Sequence, residues 1–251
     1  MSFRNKGTTG STVIVSREPD YSGNVTCDGT ADDVEIQAAM DYLNTVFGGG
    51  TLIIKKGIYN LANRVRPAGY TWVLGEGWRT VLHLNDGVNL NVIDPTASYG
   101  YIGHLQIDGN GGNQTSGFGV HIYPRDDWTL ENLLIYDTYS DAVYIRSSDR
   151  IIVRNCELID SGRHGIGARD GTIWKFESNT IINPTTIGID IEPIGVETVY
   201  DLLIHGNTVE GGSFGVAVGS AAISPHMATS TPVLCPVSMT FFIRKSTPGL
   251  K

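Results

Sequence analysis

Five stretches of the chain are variations on one six-residue pattern: Ile102-Gly103-His104-Leu105-Gln106-Ile107, Leu130-Glu131-Asn132-Leu133-Leu134-Ile135, Val153-Arg154-Asn155-Cys156-Glu157-Leu158, Phe176-Glu177-Ser178-Asn179-Thr180-Ile181 and Ile204-His205-Gly206-Asn207-Thr208-Val209. The first and last positions are apolar and the third suits a bend. A second short strand follows each stretch, opening on a small residue: Gly119-Val120-His121-Ile122, Ala142-Val143-Tyr144-Ile145, Gly165-Ile166-Gly167-Ala168, Gly188-Ile189-Asp190-Ile191 and Gly215-Val216-Ala217-Val218. The openers are spaced 23, 23, 23 and 27 residues apart. Short alternating strands and bends at a period of about two dozen residues indicate an all-β parallel solenoid, in which each repeat stacks on the one before.

The repeat converts sequence into a map of two surfaces, because equivalent strand positions on successive rungs lie about 4.8 Å apart. Val120, Val143, Ile166, Ile189 and Val216 are expected to form one inward column. Leu105, Leu133, Cys156, Asn179 and Asn207 are expected to form another. One outward column then reads His121, Tyr144, Gly167, Asp190, Ala217, and the next reads Tyr123, Arg146, Arg169, Glu192, Gly219. On this register Tyr144 stands outside the core.

Composition sets the boundaries. A chain of 251 residues with 41% hydrophobic and 18% charged residues is expected to form one large domain with a long core. The 31 glycines suit a fold that turns every few residues. A net charge of −8 argues against nucleic acid as a partner, and no apolar run has the roughly 20 residues of a membrane span. The N-terminal residues show no secretory signal, which leaves a cytoplasmic location open. Three cysteines make no disulfide framework, and Cys156 reads as a small core residue.

Upstream of the repeat, residues 1–26 read as a polar arm with one short strand at Thr12–Val15. Thr30 is expected to cap a helix over residues 30–47, with Ile36, Ala39, Met40, Leu43, Val46 and Phe47 on one face and Gly48-Gly49-Gly50 as its stop. Such a helix would cover the first rung and its open strand edge. The solenoid with its helix is placed at residues 27–219, and residues 220–251 read as an atypical tail or C-terminal cap.

Asp28-Gly29-Thr30-Ala31-Asp32-Asp33, Ile36-Gln37-Ala38-Ala39, the run from Gly48 to Ile54, Gly57-Ile58-Tyr59, and Gly75-Glu76-Gly77 with Thr80-Val81-Leu82 resemble the N-terminal signature of the pectate-lyase superfamily. That group includes right-handed parallel β-helix enzymes and the tailspikes of bacterial viruses. The resemblance implies a right-handed, single-stranded β-helix and a carbohydrate ligand. It also implies an extracellular or virion-associated setting and a monomer or homotrimer. It is specific for fold and weak for reaction, because one scaffold hosts many chemistries.

Chemistry is expected on the outward columns. His121, Tyr123 and Tyr144 supply proton donors and acceptors, and the stacked Arg146 and Arg169 would hold a carboxylate between them. Asp190 and Glu192 extend the same patch as binding groups, and Glu192 or Asp170 could instead neutralise the arginines. Polygalacturonase-type hydrolases of the resembled group carry acids where this chain has Phe118 and Ser140, while Asp141 and His164 match. Alginate C5-epimerases carry a cassette aligned with Phe118-Gly119-Val120-His121-Ile122-Tyr123, with residues exchanged, and their later repeats resemble Asp141 and Arg163-His164-Gly165. These comparisons favour lyase- or epimerase-type action on a uronate-containing polysaccharide over paired-carboxylate hydrolysis. The alternative is a non-catalytic fibre whose outward ladder only binds. No cofactor is required; calcium is expected at Asp108 and Asn110, in a turn rich in oxygen ligands, with Asp126-Asp127 as another oxygen pair.

Overall fold

A computed structural model describes residues 11–219 and shows three parallel sheets wound into a β-helix behind one α-helix. Expectations about residues 220–251 and Cys235 lie outside the described residues. The first sheet has nine strands, the second seven and the third five. The third consists of Val120–Ile122, Val143–Arg146, Ile166–Arg169, Ile187–Ile191 and Phe214–Val218. All named strand pairs are parallel, and a chain that visits the three sheets in turn makes one rung per circuit.

The expected register holds. Val120, Val143, Ile166, Ile189 and Val216 are consecutive Cα partners across the third sheet. The first four are fully buried, and Val216 on the last described rung is partly so. The bend that ends each first-sheet strand explains the third position of the six-residue pattern. His104, Asn132, Asn155, Ser178 and Gly206 have φ of 58°, 53°, 54°, 56° and 66°. This left-handed conformation is cheapest for glycine and tolerable for asparagine.

Behind that bend, Leu105, Leu133 and Cys156 fill the interior, and then asparagine takes over. Asn179 Nδ2 donates to Val153 O at 2.9 Å, and Asn207 Nδ2 donates to Phe176 O at 2.7 Å. The Asn179 carbonyl accepts from Cys156 N at 3.0 Å, so the side chains satisfy bend groups that a leucine would leave unpaired. Burial pushes the Cys156 thiol up to about 12, which keeps it protonated and inert. Gly165 is small by necessity, since a Cβ there would lie 2.5 Å from Ile181 Cγ2.

The helix α1, Asp33–Phe47, packs on the first strands through Ile36, Ala39, Met40 and Leu43, all fully buried. Two expectations about it are corrected. Thr30 does not cap it: Asp32 occupies that place, and its carboxylate accepts from Gly29 N at 2.7 Å and Asn60 N at 2.8 Å, tying the helix start to the second sheet. Val46 and Phe47 are exposed rather than packed, because the chain must leave the helix at left-handed Gly48 to enter Gly50–Ile54. The N-terminal arm joins the solenoid: Thr12–Arg17 pairs with Gly50–Ile54, and Val25–Cys27 forms the sheet edge beyond it.

Candidate functional site

The outward columns of the third sheet align as the sequence implied. His121, Tyr144, Gly167, Asp190 and Ala217 are Cα partners in succession, and Arg146 pairs with Arg169. Gly167 is the gap that organises this face. A Cβ at that position would collide with the Asp141 carboxylate and press on the Tyr144 ring. Without it, Asp141 lies over the strand, fully buried.

Asp141 is locked rather than free. Arg163 grips it with two parallel bonds of 2.7 Å, and His164 N donates to it at 3.1 Å. A carboxylate so saturated positions its neighbours and moves no proton. The Arg163 guanidinium in turn lies 5.6 Å from the centre of the Tyr144 ring.

Tyr144 departs from the sequence reading. It points outward, yet only 9% of it is exposed. Phe118 stacks on it at 4.7 Å and 12°, His121 lies at 5.7 Å and 16°, and Arg163 covers another side. His121 stacks in turn with Tyr123 at 6.0 Å. His121 is held by Asn91 Nδ2 at 3.1 Å from Nδ1 and by Asp94, 3.5 Å from the same nitrogen. Tyr123 is exposed, with the Arg146 guanidinium 5.4 Å from its ring centre.

The next rung carries the acid–base chemistry. Thr186 Oγ1 donates to Arg163 O at 2.9 Å, so its hydrogen is committed there. It can only accept from His164 Nδ1, 2.8 Å away, which places the ring proton on Nδ1. His164 Nε2 then faces Asp190 Oδ2 at 3.2 Å and Glu192 Oε1 at 3.4 Å. Three electron-pair donors converge on space that needs a proton. Burial, with the hydrogen bond and charge of Glu192 added, raises Asp190 to about 7. Burial also lowers the His164 pKa. The two shifts agree on one distribution just below neutrality: an uncharged imidazole beside a carboxyl that holds its proton up to about pH 7.

The arginine pair is not open as the sequence reading implied, nor is it neutralised by Glu192 or Asp170. Glu197 binds Arg169 at 3.0 and 2.8 Å and lies 3.6 Å from Arg146. Glu192 faces His164 and, at 3.7 Å, Arg163. Asp170 accepts from Ser147 Oγ at 3.2 Å. Arg146 Nε is buried without an acceptor. Asp108 and Asn110, the expected calcium ligands, lie away from this face in the second sheet and its following turn. Asp108 holds His83 at 2.8 Å, and Asn110 bonds Leu84 O and Asp86. Among the described residues, His164, Asp190 and Glu192 make one of two clusters whose donor atoms are close enough to share a cation; Cys27, Asp32 and Glu35 make the other.

Sequence reasoning places His121, Tyr123, Tyr144, Arg146, Arg169, Asp190 and Glu192 on one face and Asp141 and His164 on the loop edge before it, and the structure brings the two sets together. It missed Thr186 and Glu197. The signal for Glu197 was the long last spacing of 27 residues, which marks an insertion.

Comparisons with known proteins follow the architecture. The A-module of a mannuronan C-5 epimerase from Azotobacter vinelandii superposes with a TM-score of 0.65 at 20% identity, covering 75% of this chain and 55% of that one. A tailspike of Acinetobacter baumannii bacteriophage Fri1, a capsular polysaccharide depolymerase, gives 0.63 at 17% identity, covering 86% and 43%. An α-1,3-glucanase catalytic unit from Streptomyces thermodiastaticus gives 0.53 at 18%, covering 76% and 40%. The chain therefore spans about half the length of these proteins or less, and at such identity the likeness is one of fold. No curated protein matches the sequence. Residues 92–230 match the family described as "Right handed beta helix region", more than half of the chain, and the protein belongs to that family.

Proposed function

We propose that this chain acts on an acidic, uronate-containing polysaccharide laid along the third sheet, by the proton-abstraction chemistry of a lyase or C5-epimerase. The observation that carries the reading is the His164–Asp190–Glu192 cluster, an unprotonated imidazole nitrogen beside a carboxyl that titrates near 7, on a face that also holds three arginines. Removing the proton α to a carboxylate needs a base, a cation for the developing enolate charge, and an acid for the departing oxygen or the returning proton. His164 Nε2 serves as the base and Asp190 as the acid. Arg146 and Arg169 neutralise the sugar carboxylate. His121, Tyr123 and Tyr144 bind and orient the sugar rings, with His121 and Tyr123 as further donors to the leaving oxygen.

Support for a carbohydrate ligand comes also from the polysaccharide-acting proteins of the same fold. The setting that goes with it is extracellular or virion-associated; among the described residues no helix is long and apolar enough to cross a membrane. Incubation with oligomannuronate, oligoguluronate and oligogalacturonate tests the reading, with unsaturated product followed by ultraviolet absorbance and epimerised product by proton NMR. Turnover is expected to be highest near neutrality. It falls on the alkaline side as Asp190 loses its proton, and on the acid side as His164 gains one. His164→Ala is expected to lower the rate by about 10²–10⁴-fold with binding retained. Turnover unchanged in that variant would remove His164 as base.

A second reading, a non-catalytic fibre that only binds polysaccharide, is favoured by the Glu197 contact that already neutralises Arg169. Binding of all three oligouronates with no product from any of them is its expected result.

A further inference from the structure

The last repeat gains five residues in one place and loses one later in the rung, a net of four. One residue, Asp170, separates Arg169 from the strand Gly171–Glu177, whereas six separate Glu192 from the equivalent strand Val199–His205. The inserted loop is anchored at both ends, since Pro193 and Val199 are buried. Between them its apolar side chains stand mostly in solvent: Ile194 is 58% exposed and Val196 98%. Core packing therefore does not hold the loop tip. Glu197 does. Its carboxylate binds Arg169 at 3.0 and 2.8 Å, reaches Arg146 at 3.6 Å and accepts from Ile194 N at 2.8 Å. Against Arg169 the geometry is the two-bond pairing that a guanidinium makes with any carboxylate. Arg146 is left incompletely served, with Nε buried and without an acceptor.

We infer that Glu197 is a specificity-determining residue, an internal carboxylate carried into the Arg146–Arg169 subsite by a loop insertion, which a uronate carboxylate must displace to bind. This inference rests on the proposed reading of the face as an acidic-sugar site and adds a basis on which the subsite tells acidic from neutral sugars. A ligand carboxylate that approaches from the Arg146 side meets a guanidinium that Glu197 reaches only at 3.6 Å. The loop loses chiefly contacts made by Glu197 itself, because its tip buries no apolar side chain fully. Neutral glycans have no group to exchange for Glu197 and gain nothing from its departure.

The experiment compares the wild-type chain with Glu197→Gln by calorimetric titration of oligogalacturonate, and of a neutral gluco-oligosaccharide of equal length. Amide hydrogen exchange is read over residues 194–198. Glu197→Gln keeps the size of the side chain and removes the charge, and its thermal melt controls for folding. The expected result is oligouronate binding about fivefold tighter in Glu197→Gln, the upper range for a solvent-reachable ion pair, with the neutral ligand unaffected. In the wild type, saturating oligouronate is expected to speed exchange at Ile194, whose amide Glu197 holds. Wild-type binding that is unchanged or weakened in Glu197→Gln overturns the inference and leaves the acidic-sugar site standing. Oligouronate binding to neither protein overturns the site reading itself, and the inference with it.

Discussion

Tyr144 shows what a register does and does not determine. Alternation along Val143–Arg146 sends its side chain outward, which the pairing with His121 and Gly167 bears out. Burial is a separate matter, decided by Phe118 and Arg163, which arrive from the turns between sheets. Those turns keep the repeat spacing, since Ser140 N bonds Gly117 O and Arg163 N bonds Ser140 O, but their residue types change from rung to rung. The ring is thus fixed by its faces, between Phe118, His121 and Arg163. Tyr144→Ala is therefore expected to cost roughly 2–4 kcal/mol, in the same range as the roughly 2–5 kcal/mol for the inward Ile166→Ala. Urea denaturation of both variants checks this. A loss under about 0.5 kcal/mol at Tyr144, typical of an open surface position, would mean that the aromatic stack is not formed in solution. The same distinction explains why the arginines were read correctly in position and wrongly in partner. Arg146 beside Arg169 follows from a count of residues, while Glu197 comes from a loop that breaks the count.

At the scale of elements, the parts with a period were legible and the parts that join them were not. The inward columns, the small openers and the helix face from Ile36 to Leu43 could all be read, because each repeats a burial pattern that the chain needs to exclude water. The helix ends could not. Thr30 has the chemistry of a cap, but Asp32 is placed where it bonds Asn60 across the rung, and that tertiary bond outweighs a local one. Asp33 does the same with Ala62 N at 2.7 Å. The helix is thus pinned at its start by two carboxylates and along its length by apolar contact, while its last turn is free of the core. Met40→Ala is expected to cost about 2–5 kcal/mol and Val46→Ala less than about 0.5 kcal/mol, measured by urea denaturation. Comparable losses at the two positions would show that the helix docks by a different face.

The whole molecule sets a long-range field against a local one. The chain carries a net charge of −8. On the candidate face, Arg146, Arg163 and Arg169 meet Asp141, Glu192, Glu197 and an Asp190 that titrates near 7, so the face itself is close to balanced. A polyuronate approaching from solvent therefore feels repulsion first and meets the arginines only at contact. The Debye length falls from about 30 Å at ~0.01 M salt to about 10 Å at ~0.1 M, which screens the approach far more than the contact. The association rate for oligouronate is expected to rise across that interval, by roughly two- to threefold, and the dissociation rate to rise as well once the exposed arginine contacts are screened. A neutral oligosaccharide of equal length should show neither change. Stopped-flow mixing at several salt concentrations separates the two rates. An association rate that fell with salt would mean that the arginines project an attractive field beyond their carboxylate partners, a field that the contacts of Asp141 with Arg163 and of Glu197 with Arg169 should have extinguished.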